Sequence, residues 1–364
     1  MSRLNRYLED PDLGRMYQLV RAAGAVRPIS LDLTSKCNLR CTGCYYYAEG
    51  MDQVDHRRDD DAFDLLIESE KARGTNFVTV VGGEPALEPG RLRKLYRHFK
   101  MNVATNGLIP IPREGLENMP MGIAVWGSRE TDARLRGQPG KDLLSTALEN
   151  YRGDPRAFFY YTVAPGHAHE IEDVVGQIVE NGNKVLFNYY SDVSERGGEL
   201  GYEQGFGAVR REVDRMIDRY PDMMYTTPYL NRVTTRGELM GQRWGYDVCT
   251  NLTVDNEINT HRRQTGKPYN PHFRAINADF KTTRRCCTGS TRDCASCFDT
   301  WEHFSWIMIN MRKHLGNRRE FTDWLSTMFA FYVVNRLVDP GEGHELLARI
   351  QARWSAGAPR QRTA

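Results

Sequence analysis

Residues 29–44, ISLDLTSKCNLRCTGC, decide the fold. Ile29, Leu31 and Leu33 alternate with Ser30 and Asp32, the period-two pattern of a strand. The strand runs straight into Cys37, Cys41 and Cys44, spaced CxxxCxxC. Three thiolates on one short loop can hold three irons of a cubic [4Fe–4S] cluster. The fourth iron is then open to bind and activate a small molecule, whereas a fully ligated cluster mainly transfers electrons. Zinc is the competing metal, but a structural zinc takes four protein ligands, and no fourth lies in the motif. Ligand sites at the C-terminal ends of strands are the habit of parallel α/β proteins.

Five further short apolar runs follow: Phe77–Val81, Met101–Thr105, Met121–Trp126, Phe158–Val163 and Val185–Tyr190. Helical spacing falls between and behind them, at 61–73, 89–99, 141–152 and about 169–181. Six strands alternating with helices predict an α/β fold with a parallel sheet and right-handed crossovers. Six units are too few for a closed eight-stranded barrel. The expected core is therefore a partial (β/α)6 TIM-like barrel over 28–205. Residues 1–27 predict a helical lead-in, capped by Asp10 or Asp12, with Leu13, Met16, Leu19 and Val20 on one side. The glycine-rich stretch 194–207 reads as a linker or active-site lid. Residues 206–300 read as an auxiliary-cluster region. It holds a helix at 207–220, a hairpin over Phe273–Cys287 turning near Asn277-Ala278-Asp279, and little helical periodicity after 249. C-terminal helices over 301–355 and a disordered tail at 356–364 complete the chain.

The chain has 364 residues, 40% apolar and 26% charged. That excludes disorder, collagen and a pure coiled coil. A net charge of +2 leaves no footprint for nucleic acid or an anionic membrane surface. No apolar run reaches the ~18 residues of a membrane span, and MSRLNRYLED carries no secretory h-region, so a cytoplasmic protein is expected. Eight cysteines fall into two groups, three early and five late. In a reducing compartment such groups bind metal more often than they pair as disulfides.

Four more motifs follow the cysteines in order: Gly82-Gly83-Glu84-Pro85, Ala104-Thr105-Asn106-Gly107, Ile123-Ala124-Val125-Trp126-Gly127, and Arg134-Leu135-Arg136-Gly137 with Gly140. This ordered set resembles the radical S-adenosylmethionine (SAM) superfamily over residues 29–190. The resemblance implies a SAM-binding [4Fe–4S] cluster on Cys37, Cys41 and Cys44. SAM is reductively cleaved to a 5′-deoxyadenosyl radical, which abstracts hydrogen from substrate, with flavodoxin or ferredoxin as reducing partner. It also implies that Gly82, Gly83 and Glu84 meet the SAM amino group, that Arg136 reaches its carboxylate, and that Thr105 and Asn106 touch ribose or substrate. The bland alternatives are ordinary turns for 82–84 and 105–106, and a solvated surface charge for Arg136. Three positions depart from the family's habit. Gly43 stands where an adenine-packing residue is common, so Tyr45, Tyr46 or Tyr47 would supply that face. Ala124 replaces a frequent serine, and Trp126 an acidic residue. Trp126, Asn188, Tyr189 and Tyr190, with His167 and His169, are candidate pocket walls, against core packing and structural histidines as alternatives.

Cys249, Cys286, Cys287, Cys294 and Cys297 resemble the C-terminal auxiliary-cluster extension of that superfamily. Five cysteines fit one further [4Fe–4S] cluster in a twitch-like subdomain better than the two clusters of a SPASM domain. A zinc site and buried free thiols are the alternatives. One of Cys286 and Cys287 is spare, either structural or a hydrogen-atom donor; Cys286, Cys287, Trp126 and Tyr189 are the candidate catalytic groups. By elimination the expected substrate is a small molecule, a sugar, cyclitol or natural-product intermediate that is dehydrogenated or epimerised. The 28 residues before the first strand are too few for a leader-binding domain, no segment looks like a cobalamin domain, and balanced charge disfavours RNA. A peptide-modifying maturase is the alternative enzyme reading, and a non-catalytic zinc or iron–sulfur interaction protein the alternative from another class.

Overall fold

The computed structural model describes residues 2–54, 60–191, 200–238, 249–288 and 297–357. Six strands, β1 Pro28–Asp32, β2 Phe77–Val81, β3 Lys100–Thr105, β4 Met121–Val125, β5 Ala157–Val163 and β6 Lys184–Tyr189, pair in sequence order, all parallel. Two short strands extend the sheet beside β1. β7 (Ala275–Ile276) is parallel to β1, and β8 (Thr283–Arg284) is antiparallel to β7. The sheet order is β6-β5-β4-β3-β2-β1-β7-β8. The hairpin forms where the sequence placed it, with Asn277 N donating to Thr282 O at 2.9 Å.

The two faces of the sheet differ, because side chains alternate along each strand. One face is apolar throughout: Leu31, Val80, Val103, Ile123, Phe159 and Phe187 are buried there. It packs against helices that include Asp60–Ala72 and Ile171–Glu180. Each such side chain contributes roughly 1.5–3 kcal/mol by leaving water. The opposite face carries Ser30, Asp32, Thr79, Asn102, Gly122, Thr162 and Asn188, small or polar residues that could not form a dry core. This face lines a cavity. At its far end Phe158 and Leu186 join a second core with Phe304, Trp306, Phe321 and Phe329. These belong to the C-terminal helices Thr300–Ile309 and Arg318–Val334. They pack with the lead-in helix Pro11–Ala23, which Asp10 caps through the Asp12 and Leu13 amides.

Several elements depart from the sequence expectation. Helix Glu257–Thr265 lies in a region read as having little helical periodicity. It buries Asn259 and Arg262 rather than an apolar stripe, so the usual signal was missing. Helices Arg129–Leu135 and Pro228–Thr235 were also unexpected. The last helix, Pro340–Gly357, runs into the expected tail, and 358–364 lie outside the described residues. Of the expected lid, 194–199 lie outside them too. No described helix is long and apolar enough to cross a membrane.

Candidate active site

The cysteine loop leaves the end of β1 and is gripped from both sides by backbone. On one side Gly83 N donates to Thr34 O at 2.8 Å and Glu84 N to Lys36 O at 2.7 Å. A Cβ on Gly83 would lie 2.0 Å from Lys36 O, so only glycine fits. On the other side Thr42 N donates to Leu135 O at 2.7 Å. A Cβ on Gly137, at φ +73°, would lie 2.3 Å from Arg40 O. The two glycine motifs therefore shape the loop before they touch any ligand. Inside the loop, Leu39 N points at Cys37 Sγ at 3.4 Å, and Tyr47 Oη donates to Leu39 O at 2.8 Å.

Cys37, Cys41 and Cys44 line one cavity of about 250 Å³. Burial pushes the Cys41 thiol up to about 12 and the Cys44 thiol to about 11, and raises Cys37 as well. Thiolates here need a cationic centre to become the stable form. Sulfurs around one zinc lie about 3.8 Å apart, from Zn–S bonds of about 2.3 Å. Among the described residues no three Cys, His, Asp or Glu side chains are grouped to hold a single ion, at the early cysteines or at the late ones. Three soft donors on one cavity wall fit a polynuclear iron–sulfur centre better.

Every residue that the family resemblance assigned to SAM lines that same cavity: Tyr45, Gly82, Gly83, Glu84, Thr105, Asn106 and Arg136. Glu84 is buried, and its carboxylate accepts from Thr105 Oγ1 at 2.6 Å, Asn106 N at 2.7 Å and Ala86 N at 2.8 Å. It ties the end of β2 to the end of β3. Burial raises its pKa against those three hydrogen bonds. Arg136 is 1% exposed and is no surface charge. Its Nη1 donates to Asp132 Oδ2 at 3.0 Å and its Nη2 to Asn106 O. Asp132 also accepts from Trp126 N at 2.7 Å, which fixes Trp126 at the cavity wall, edge-on to Tyr190.

The other candidates divide. Tyr47, Ala124, Asn188 and Tyr190 line the cavity. Tyr46 does not; it is buried and donates to Thr34 O. Tyr189 borders the cavity, but it is fully buried, its hydroxyl donates to Asn231 Oδ1 at 2.7 Å and its ring packs on Phe206. His167 and His169 are not in the cavity wall: His167 sits beside Arg134, and His169 is exposed near Glu170. Thr288, Asp299 and Trp301, which the sequence reading did not single out, close the cavity from the C-terminal side. Asp299 and Trp301 are docked by Thr300 between them, whose N donates to Asn188 Oδ1 and whose Oγ1 donates to Phe187 O.

None of the described late cysteines lines the cavity. Cys249 and Cys287 meet at the carboxylate of Glu302. Cys286 sits on a β-bridge to Leu252, with Thr288 Oγ1 3.5 Å from its sulfur. Cys297 precedes helix Thr300–Ile309, and Cys294 lies outside the described residues. A buried ion pair links this region to the barrel: Arg284 on β8 grips Asp32 on β1 with two 2.9 Å bonds and also donates to Cys287 O.

Known proteins align with this arrangement. A family profile described as a 4Fe-4S single cluster domain matches residues 26–110. The sporulation killing factor maturation protein SkfB of Bacillus subtilis is 28% identical over 168 residues, 43% of this chain and 40% of that protein. The Fe-coproporphyrin III synthase of Methanosarcina barkeri is 23% identical over 201 residues, 52% of this chain and 50% of that protein. The chain thus spans half or less of the length of these curated relatives. Among solved structures, anSMEcpe with bound AdoMet superposes with a TM-score of 0.50 at 14% identity, over 88% of this chain and 99% of that one, a likeness of fold.

Proposed function

We propose that this chain is a radical SAM enzyme, as the single-cluster profile and the two curated relatives support, and that it is a peptide maturase, abstracting hydrogen from a residue of a peptide substrate. The [4Fe–4S] cluster and SAM, when bound, supply the 5′-deoxyadenosyl radical. Cys37, Cys41 and Cys44 would hold the cluster, and the backbone of Gly82 and Gly83 with Arg136 would flank SAM. Trp126, Tyr190 and Trp301 would pack on substrate and exclude water.

The relative that is itself a maturation protein carries this reading. It replaces the small-molecule substrate expected by elimination. That elimination leaned on a short N-terminal segment, which weighs less than the maturase likeness. The second relative, a porphyrin synthase by name, favours small-molecule tailoring as the second reading. The late cysteines are proposed to hold an auxiliary centre that carries an electron to or from the substrate radical.

The test is anaerobic turnover with SAM and a reductant, using synthetic peptides translated from short reading frames beside the gene. Deoxyadenosine should form, deuterium should pass into it from a labelled peptide residue, and Cys41→Ala should abolish both. Deuterium arriving only from a labelled sugar would sink the peptide reading. Deoxyadenosine unaffected by Cys41→Ala would sink the cluster assignment.

A further inference from the structure

Two of the late cysteines meet a carboxylate that no motif announces. Glu302 is 4% exposed, on the first turn of helix Thr300–Ile309. Its Oε2 accepts from Cys249 Sγ at 3.1 Å and its Oε1 from Cys287 Sγ. The three residues are distant in sequence, so only the fold brings them together. Asn251 adds a hydrogen bond. Among the described residues no basic side chain bonds this carboxylate. Arg284 is engaged by the Asp32 carboxylate through two 2.9 Å bonds and also donates to Cys287 O at 3.2 Å, and Arg262 donates to Cys249 O at 2.8 Å.

Buried charges in proteins are paired or coordinate metals. Here the partners are two thiols. While protonated, each donates to the carboxylate. Metal binding removes those protons, and a metal held by both sulfurs would lie within reach of the carboxylate oxygens that now accept from the two thiols. The carboxylate's place on the first turn of a packed helix, with Thr300 fixed to β6, leaves it little room to move away.

We propose that Glu302 is a carboxylate ligand of the metal centre that Cys249 and Cys287 hold. This rests on the reading that the late cysteines bind metal. An oxygen ligand in place of a thiolate alters the electronic spectrum and potential of an iron–sulfur centre.

The test uses the full chain carrying Cys37→Ala, Cys41→Ala and Cys44→Ala, so that only the second centre remains. It is reconstituted anaerobically and read by metal and sulfide content and by electron paramagnetic resonance after reduction. Adding Glu302→Gln should shift the resonance or lower bound metal at least twofold, and Glu302→Asp should restore part of the loss. An identical spectrum and metal content in Glu302→Gln overturns the proposal. Should Glu302→Gln fail to fold by circular dichroism, Glu302→Asp decides: a shifted spectrum supports the ligand, and an unchanged one overturns it. Zinc bound in place of iron and lost in Glu302→Gln supports the ligand but overturns the iron–sulfur reading. A folded chain with no metal overturns both.

Discussion

At the scale of single residues, glycine carries much of the site. Gly83 has no room for a methyl group, because Lys36 O occupies the place of its Cβ. Backbone on both sides cannot yield as a flexible side chain would, so Gly83→Ala must push the cysteine loop outward. We expect the variant to fold, with an overpacking cost of about 1–3 kcal/mol, and to lose the early-cysteine iron. Iron analysis after reconstitution should fall from about eight per chain to about four if both centres are [4Fe–4S]. A full iron complement in Gly83→Ala would show that the loop tolerates the push. Arg136 makes the same point with charge. The sequence motif flagged it, but its buried pairing with Asp132 is what aims it.

At the scale of elements, the barrel and the late-cysteine region are joined by β1 and β8. The Asp32–Arg284 pair is almost fully buried on both sides. Burial drives the Asp32 carboxyl up to about 6 even though Arg284 pulls it down. Arg284→Met would strand that carboxylate, and the expected loss is about 3–5 kcal/mol in chemical denaturation. The double variant Asp32→Asn/Arg284→Met should regain much of it. Equal stability of wild type and Arg284→Met would show that the pair does not hold the hairpin. The hairpin itself was legible from Asn277-Ala278-Asp279 and the flanking apolar residues. Helix Glu257–Thr265 was not, since it buries Asn259, which donates to the Leu252 and Thr253 carbonyls. Periodicity arguments look for apolar faces and pass over a helix anchored by polar ones.

At the scale of the whole molecule, the C-terminal helices close one end of the sheet's polar face. Helix Pro340–Gly357 meets the segment after β6, where Tyr225 and His344 are 3.1 Å apart. Burial, with Lys184 and Arg336 nearby, lowers the His344 pKa to about 3. The unfolded chain takes up a proton near pH 6.5 that the folded chain refuses. His344 therefore favours the fold fully above that pH, and the benefit is lost as pH falls from 6.5 towards 3. Between pH 7 and pH 5 the loss from this group should reach up to about 2 kcal/mol. His344→Gln should flatten the dependence of melting temperature on pH over that range. An unchanged slope would place the acid sensitivity elsewhere.

The six-strand order, the parallel sheet and the early-cysteine loop followed from the sequence alone. Period-two runs, helical spacing and CxxxCxxC are local patterns, written within a few residues of one another. Asn188 was already a candidate pocket wall, but Thr79 and Asn102, inside runs read as apolar, were recognised as part of the cavity only in the structure. The tertiary structure decided what those patterns could not. It clamped the loop between Gly83 and Gly137, turned Tyr189 into the core, left the two histidines outside the cavity, and brought Glu302 to Cys249 and Cys287. The reason is physical: the partner of a buried polar group is chosen by desolvation in three dimensions, and residues far apart along the chain leave no local trace of that choice.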